Sequence, residues 1–304
     1  MQSITYILQK DIDKSKWDAC IATAANGLVY GYSWYLDAMS NNWDALILND
    51  YETVMPLTWN KKYGIYYLHQ PHLCASLGIF SKIEIRKEHV IEFLNAIPAK
   101  FKYWDFYLNH QNLFLISAYP LTERTNYVLS LHNSYESISS TYRSNLKRNI
   151  KKAAESKLTV KQGIDITEIT KLASKKMQSI SNISTTDFEN FKSVFTKAKE
   201  MNCAETLGIY LNDELLASAV FLFSHNRWYY ILVGNHPNGK TLGASHYLID
   251  RFIHFHAGEN SLLDFEGSDI RNLAFFYSSY GASEEKYPAI RMNKLPGILK
   301  WMKD

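Results

Sequence analysis

Cysteine is scarce in this sequence. Three of the 304 residues are cysteine, Cys20, Cys74 and Cys203. They are odd in number, far apart and without a CxxC pair. That argues against a disulfide framework or a cysteine-built zinc module and fits a reducing cytoplasm. Long apolar runs are missing too. LLASAVFLF at 215–223, among the longest, has about half the length of a membrane-spanning helix. The opening MQSITYILQKDID has no basic start and meets charge by Lys10, so no signal peptide is expected. Glycine and proline number only 13 and 7, and no stretch gathers them into a linker. Net charge is +3, too little by itself to mark a nucleic-acid binder. The expectation is a soluble, cytoplasmic protein with no membrane span.

What is present suits packed cores. The chain is 46% apolar and 14% aromatic, which excludes disorder. Its length allows about two ordinary domains. The second half gives the clearer pattern. LTVKQG (158–163) is a short strand, and residues 164–180 have helical spacing. Thr186 and Glu189 fit a capping box opening a second helix, which would bury Phe188, Phe191, Phe195 and Ala198. Strands follow at 206–211, 215–223 and 227–234, with hairpin turns at Asn212-Asp213 and His225-Asn226. After NHPNGKTLG come a helix over about 243–257, a strand at 262–265, a helix at 269–280 and a last strand at 286–292. The order is β-α-α-β-β-β-α-β-α-β.

The first half repeats this order less distinctly. Strands are expected at 5–9, 45–49, 53–59, 65–70 and 103–108, and helices at 12–22, 33–40 and 89–97. LILNDYE (46–52) echoes IYLNDE (209–214) at the corresponding hairpin. Between the halves, Ile138, Tyr142, Leu146, Ile150 and Ala153 form one apolar stripe. Arg143, Lys147, Arg148, Lys151 and Lys152 cover the other side. This is either the solvated back of a helix or an anion-binding face.

Two short stretches carry chemistry. NGKTLGAS (238–245) lies between a strand and a helix. Gly239 and Gly243 would let backbone approach a ligand, with the helix-start amides of Ala244 and Ser245 facing it, a geometry suited to a pyrophosphate. The plainer reading is a turn glycine and a helix cap. LLDFEGSDIRNLAFFYSSYGA (262–282) puts Asp264 and Glu266 at a strand tip and Tyr277 on the helix behind. A phenol at a helix end can protonate a leaving group, or it can simply pack. Glu266, with Gly267 and Ser268 beside it, is either an accessible base or, with Ser268, a cap for the next helix. His69 and His72 straddle Pro71, and His254 and His256 cannot share a helix face. No metal site is expected.

The element order resembles the GNAT acyltransferase fold. NGKTLGAS is similar to the Gln/Arg-x-x-Gly-x-Gly/Ala turn of that fold, with Lys240 and Ser245 departing at the first and last positions. Tyr277-x-x-x-Gly281-Ala282 is similar to its Tyr-x-x-x-Gly-Phe signature. YRSNLKRNIKKAAESKLTVKQG (142–163) resembles the Arg-x-x-x-x-(Lys/Arg)-x-Ile-(Lys/Arg)-x-Ala segment of the FemAB/FemX-like transferases, which are tandem GNAT folds.

The resemblance implies an α+β chain of two mixed-sheet GNAT-like domains joined by the basic helix. Residues 1–133 would be a degenerate domain on the acceptor side. Residues 134–304 would hold the acyl donor. It implies that strands 227–234 and 262–265 splay around the donor, with backbone at Val233, Gly234 and Asn235 polarising the acyl carbonyl. Asp264 and Glu266 would face an incoming amine, Glu266 as base, and Tyr277 would serve as acid. The implied function is N-acyl transfer from an acyl-CoA, such as acetyl-CoA, to a primary amine on a small molecule or peptide. The alternative is a FemX-like reaction with an aminoacyl-tRNA bound on Arg143, Lys147, Arg148, Lys151 and Lys152. A non-catalytic binding module on the same fold is the third possibility, motivated by the departures at Lys240 and Ser245. The segment 59–72 would contribute to the acceptor side.

Overall fold

The computed structural model describes residues 3–180, 183–267 and 269–295. The chain forms two compact units, Met1–Arg124 with Lys286–Asp304, and Thr125–Glu285. In chain order the elements are β1 (Ile4–Ile7), α1 (Lys14–Thr23), α2 (Ser33–Met39), β2 (Trp43–Leu48), β3 (Thr53–Lys62), β4 (Ile65–His69), β5 (Phe80–Ser81), α3 (Lys87–Ala96) and β6 (Phe101–Tyr107). Then come β7 (Leu121–Ser130), α4 (Tyr135–Ser140), α5 (Ser144–Glu155), β8 (Thr159–Gln162), α6 (Ile166–Ile180), α7 (Thr185–Glu200), β9 (Ala204–Leu211), β10 (Glu214–Ser224) and β11 (Arg227–Asn235). The chain ends with α8 (Pro237–Leu242), α9 (Ala244–His256), β12 (Leu262–Asp264), α10 (Arg271–Ser278) and β13 (Ser283–Asn293). None of the described helices is long and apolar enough to cross a membrane.

The first unit pairs its strands in the order β1-β2-β3-β4-β6-β13, with β5 also on β3. Only β4 and β6 run parallel among these named strands, because α3 provides the crossover between them. The amphipathic α3 lays Val90, Phe93 and Leu94 on one face of the sheet, against Leu46, Leu57, Leu68, Trp104 and Ile290. Helices α1 and α2 pack together, with α1 over β3 and β5. Trp17 and Trp43 anchor that side with ring centroids 5.0 Å apart.

The second unit pairs its strands in the order β7-β12-β11-β10-β9-β8. Its one parallel pair among the described strands is β11–β12, again with a helical crossover. The hairpin at Asn212-Asp213 joins Leu211 to Glu214, and His225-Asn226 joins Ser224 to Arg227. His225 and Asn226 both have φ near +54°, the primed-turn geometry that matches strand twist. Helices α5 and α9 pack together, α9 also lies on β9 and β10, and α6 lies on β11. Phe221 of β10 stacks on Phe252 of α9 at 3.6 Å.

Three expectations need correction. The chain passes between units at Arg124/Thr125, inside β7, rather than near residue 133. The basic helix α5 therefore lies within the second unit and does not join the two. The last strand, expected in the second domain, pairs from Ala289 to Asn293 with β6 of the first unit. Strand pairing is long-range, so no local pattern encodes it. The cap of α7 is also two residues earlier than expected. Ser184 and Asp187 form the reciprocal box, while Glu189 pairs with Lys192 at 2.8 Å.

Candidate active site

The parallel pair β11–β12 is short. Arg227, Trp228 and Tyr229 stand opposite Leu262, Leu263 and Asp264. There β12 ends, while β11 runs on to Asn235. Glu266 and Gly267 follow with φ of +66° and +80°. Two successive left-handed residues turn the chain out of the strand. The β12 side of Tyr230–Asn235 is thus left without a strand partner among the described residues. Peptide groups there remain available to a ligand. Val233, Gly234 and Asn235 all lie along this gap. The topologically matching pair in the first unit stays closed. Past His69–Asp105 it continues through Gln70 N–H to Asp105 O at 3.0 Å and Leu77 N–H to Tyr107 O at 3.0 Å.

Asp264 does not face the gap as an unattached carboxylate. It is 5% exposed. Its Oδ2 accepts from Arg227 at 2.6 Å. Its Oδ1 accepts from Asn126 Nδ2 at 2.9 Å and from the Glu266 backbone N–H at 2.8 Å. Arg227 also donates twice to Glu285, at 2.9 and 2.8 Å. Three hydrogen bonds thus fall on the Asp264 carboxylate, which has about four acceptor positions, and one of them comes from the backbone that carries Glu266. Ser268, the other half of the proposed cap, lies outside the described residues. Among the described residues α10 has no side-chain cap, since Ile270 stands at its N-cap.

Tyr277 packs and also keeps its donor. Its ring stacks on Phe265 at 4.7 Å. The hydroxyl has no hydrogen-bond partner among the described residues. Burial, then the negative charges of Glu266 and Asp264, push its pKa well above the ordinary phenol value. The phenol stays protonated at neutral pH and is a reluctant acid. Tyr230, the first residue of β11 past its pairing with β12, is buried nearby, and Tyr277 adds to the upward push on its pKa. Gly281, with φ +83°, ends the turn after α10 against Thr141.

The turn at 238–245 differs from expectation. Residues Pro237–Leu242 form α8, and Gly243 at φ +72° caps it and starts α9. A Cβ at Gly239 would stand 2.5 Å from the Leu216 carbonyl oxygen, and one at Gly243 2.8 Å from that of Asn149. Both glycines are thus needed for close packing against the protein's own backbone. Gly234 is similar, since a Cβ there would meet Ser218 Oγ at 2.6 Å beneath Leu172. Ala244 is fully buried, and Ser245 Oγ donates to Asn235 Oδ1. Lys240 is exposed.

The basic segment docks directly on the end of α10. Arg143 N–H donates to Ser279 O at 3.0 Å. The Arg143 guanidinium lies 4.8 Å from the Phe275 ring centroid, and Tyr142 meets Tyr280 edge-on at 5.5 Å. Lys147 Nζ reaches Ser140 O at 2.9 Å, and Lys151 lies 3.9 Å from Glu155. Arg143, Lys147, Arg148, Lys151 and Lys152 are all exposed. Sequence reasoning missed Arg227, although a cation opening the apolar strand RWYYILVG was a visible signal. Asn126 and Glu285 gave none.

Residues 140–268 match the family model described as Acetyltransferase (GNAT) domain. No curated protein matches the chain. Among solved structures, FemX superposes with a TM-score of 0.64 at 13% identity, over 96% of this chain and 99% of that one. L-PGS from Bacillus licheniformis gives 0.59 at 11% identity, over 95% of each chain. A tandem GNAT protein from the clavulanic acid biosynthesis pathway gives 0.53 at 10% identity, over 98% and 100%. These likenesses show the fold, two GNAT-like domains in tandem, and the match at 140–268 supports acyl transfer as the reaction class.

Proposed function

We propose that this tandem GNAT-fold chain transfers an aminoacyl group from an aminoacyl-tRNA to a primary amine, at the gap between β11 and β12. The observation that carries the reading is the loss of parallel pairing after Tyr229–Asp264 beside the unoccupied Tyr277 hydroxyl. In this mechanism, backbone N–H groups near Val233–Asn235 hold the acyl carbonyl and stabilise its developing negative charge. The amine nitrogen attacks the carbonyl carbon. Glu266 takes the proton from that nitrogen. The C–O ester bond breaks, and the departing ribose oxygen accepts a hydrogen bond from Tyr277. Protonation of that oxygen, from Tyr277 or water, completes the transfer.

The acidity of Tyr277 favours an ester donor over a thioester. A thiolate, with a conjugate pKa of about 8.5, gains little from an acid weaker than an ordinary phenol. A ribose alkoxide is far more basic and gains more. The exposed cations of α5 offer phosphate contacts. The second reading keeps acyl-CoA as donor. Its specific support is the match of 140–268 to the acetyltransferase domain model.

Calorimetric titration separates the two, using acetyl-CoA, CoA and charged tRNA at two salt concentrations. The expected result is salt-sensitive binding of tRNA and none of CoA. Micromolar binding of acetyl-CoA, lost in Gly243→Pro, would move the donor to the 238–245 turn.

A further inference from the structure

Two helices precede β8 in the second unit. Ser134 caps α4 by accepting from the Ser137 N–H at 3.3 Å, and residues 141–143 separate α4 from α5. Ile138, Leu146 and Ala153 carry the apolar stripe of both helices into the core, where α5 packs on α9. A cavity of about 420 Å³ lies where α4, α5 and α9 meet. Tyr135 and Ile150 form its walls, the buried Tyr142 and Asp250 its floor, and the exposed Lys147 and Lys151 its rim. The volume falls within the ~300–1,000 Å³ typical of small-molecule sites. Its lining includes neither Glu266 nor Tyr277.

The floor has hydrogen-bonding capacity to spare. Asp250 Oδ1 accepts from the Tyr135 hydroxyl at 2.8 Å, and Oδ2 accepts from Arg251 Nε and Nη2 at 3.1 and 2.7 Å. A carboxylate has about four acceptor positions, so about one remains. Tyr142 is 4% exposed. Its ring meets Tyr280 edge-on at 5.5 Å, and its hydroxyl makes no hydrogen bond to the described residues. Burial, then the nearby charge of Asp250, push its pKa well above the ordinary phenol value, so it keeps its proton to donate. A buried donor without a partner is destabilising. At the rim, Lys147 Nζ donates to Ser140 O at 2.9 Å and retains two of its three ammonium protons. Lys151 lies 3.9 Å from Glu155, and both side chains are largely exposed. Glu136 is the single carboxylate at the rim, against two lysines.

We propose that this cavity binds a phenolic acid, a small anion whose aromatic ring carries a hydroxyl at the end away from its carboxylate. The floor offers one donor and about one acceptor position. A hydroxyl group uses both, donating to Asp250 and accepting from Tyr142. The tyrosine rings and Ile150 suit an aromatic body. The ligand carboxylate takes charge-assisted hydrogen bonds from Lys147 and Lys151. An ammonium group is disfavoured, because Arg251 already balances Asp250 at 2.7 Å and the rim lysines repel a cation. The proposed acyl transfer uses neither Tyr142 nor Asp250, so this site does not depend on that reading.

The test is a calorimetric titration of the full chain with 4-hydroxyphenylacetate, phenylacetate, tyramine and acetate. The hydroxylated acid is expected to bind with a Kd of ~0.1 mM. Phenylacetate should bind at least ~tenfold more weakly, about 1.4 kcal/mol, and tyramine and acetate should give no heat of binding. Tyr142→Phe removes the hydroxyl and keeps the ring against Tyr280. It should erase the preference for the hydroxylated acid, leave phenylacetate affinity unchanged and not lower the thermal midpoint. Replacing the exposed Lys147 and Lys151 together with Gln should weaken both acids at least ~tenfold, whatever the fate of Tyr142→Phe. No binding of 4-hydroxyphenylacetate would overturn the proposal, as would a hydroxyl preference that survives Tyr142→Phe. Acetate binding as tightly as the ring acids would reduce the site to a basic patch, and tyramine binding as tightly would contradict the rim charge. Either result also overturns it.

Discussion

Arg227 and Asp264 form a buried ion pair at 2.6 Å, at the point where β11 and β12 part. Arg227 is 7% and Asp264 5% exposed. The pair ties the last paired rung of the two strands to Glu285 and, through the Glu266 N–H, to the proposed base. Removing one member of a buried pair leaves an uncompensated charge. Arg227→Met is expected to cost about 3–5 kcal/mol, read as a lower urea midpoint with an unchanged slope. A loss below about 1 kcal/mol, the range of surface pairs, would mean that water reaches the network.

Glu266→Gln tests the base. The variant keeps the backbone N–H that bonds Asp264 and removes only the proton acceptor. Turnover should fall about 10²–10⁴-fold, with donor affinity nearly unchanged. A fall within about threefold, roughly 0.6 kcal/mol on the barrier, sinks the assignment.

Legibility in the sequence followed how local each feature is. The alternation and turn chemistry of 206–235 are local, and both hairpins formed where residues 212–213 and 225–226 suggested. The segments 142–163 and 262–282 touch each other, and Tyr277, Gly281 and Arg143 meet through α10 and the start of α5. In the NGKTLG run Gly239 and Gly243 pack against the Leu216 and Asn149 carbonyls, which are distant in sequence and so invisible to a local reading of the turn. Likewise the spacing that fits Ser184–Asp187 also fits Thr186–Glu189, and the reciprocal hydrogen bonds form at the first. The gap itself depends on where β12 stops, which the left-handed Glu266 decides.

Tyr277→Phe separates the donor classes. The change removes the hydroxyl and preserves the stack on Phe265. With an aminoacyl ester the turnover should fall about 10²-fold, the scale of one lost transition-state hydrogen bond. A thioester should react with much less change, since its leaving group needs little proton assistance. Equal losses with both donors would remove the acidity argument for an ester.

The basic face of α5 makes a separate prediction. Replacing Lys147, Arg148, Lys151 and Lys152 with Gln should weaken tRNA binding and flatten the slope of log affinity against log salt by up to about 0.9 per lost duplex phosphate contact. The side chains are exposed, so the fold should persist. An unchanged slope would leave α5 a solvated helix back.

His256 gives a pH signature independent of catalysis. Its ring lies between Glu259 Oε1 at 2.8 Å and Glu205 Oε2 at 3.1 Å. Burial lowers its pKa, but hydrogen bonds to Glu205 and Glu259 outweigh burial, and the net shift is upward. A raised folded-state pKa means that the stabilisation is fully present below the ordinary histidine value of about 6.5 and is lost as pH rises through the folded value. The thermal midpoint should therefore decline as pH rises above about 6.5. His256→Gln should flatten that decline, because a neutral amide has no proton to lose. The same slope in both proteins would assign the pH dependence to another group.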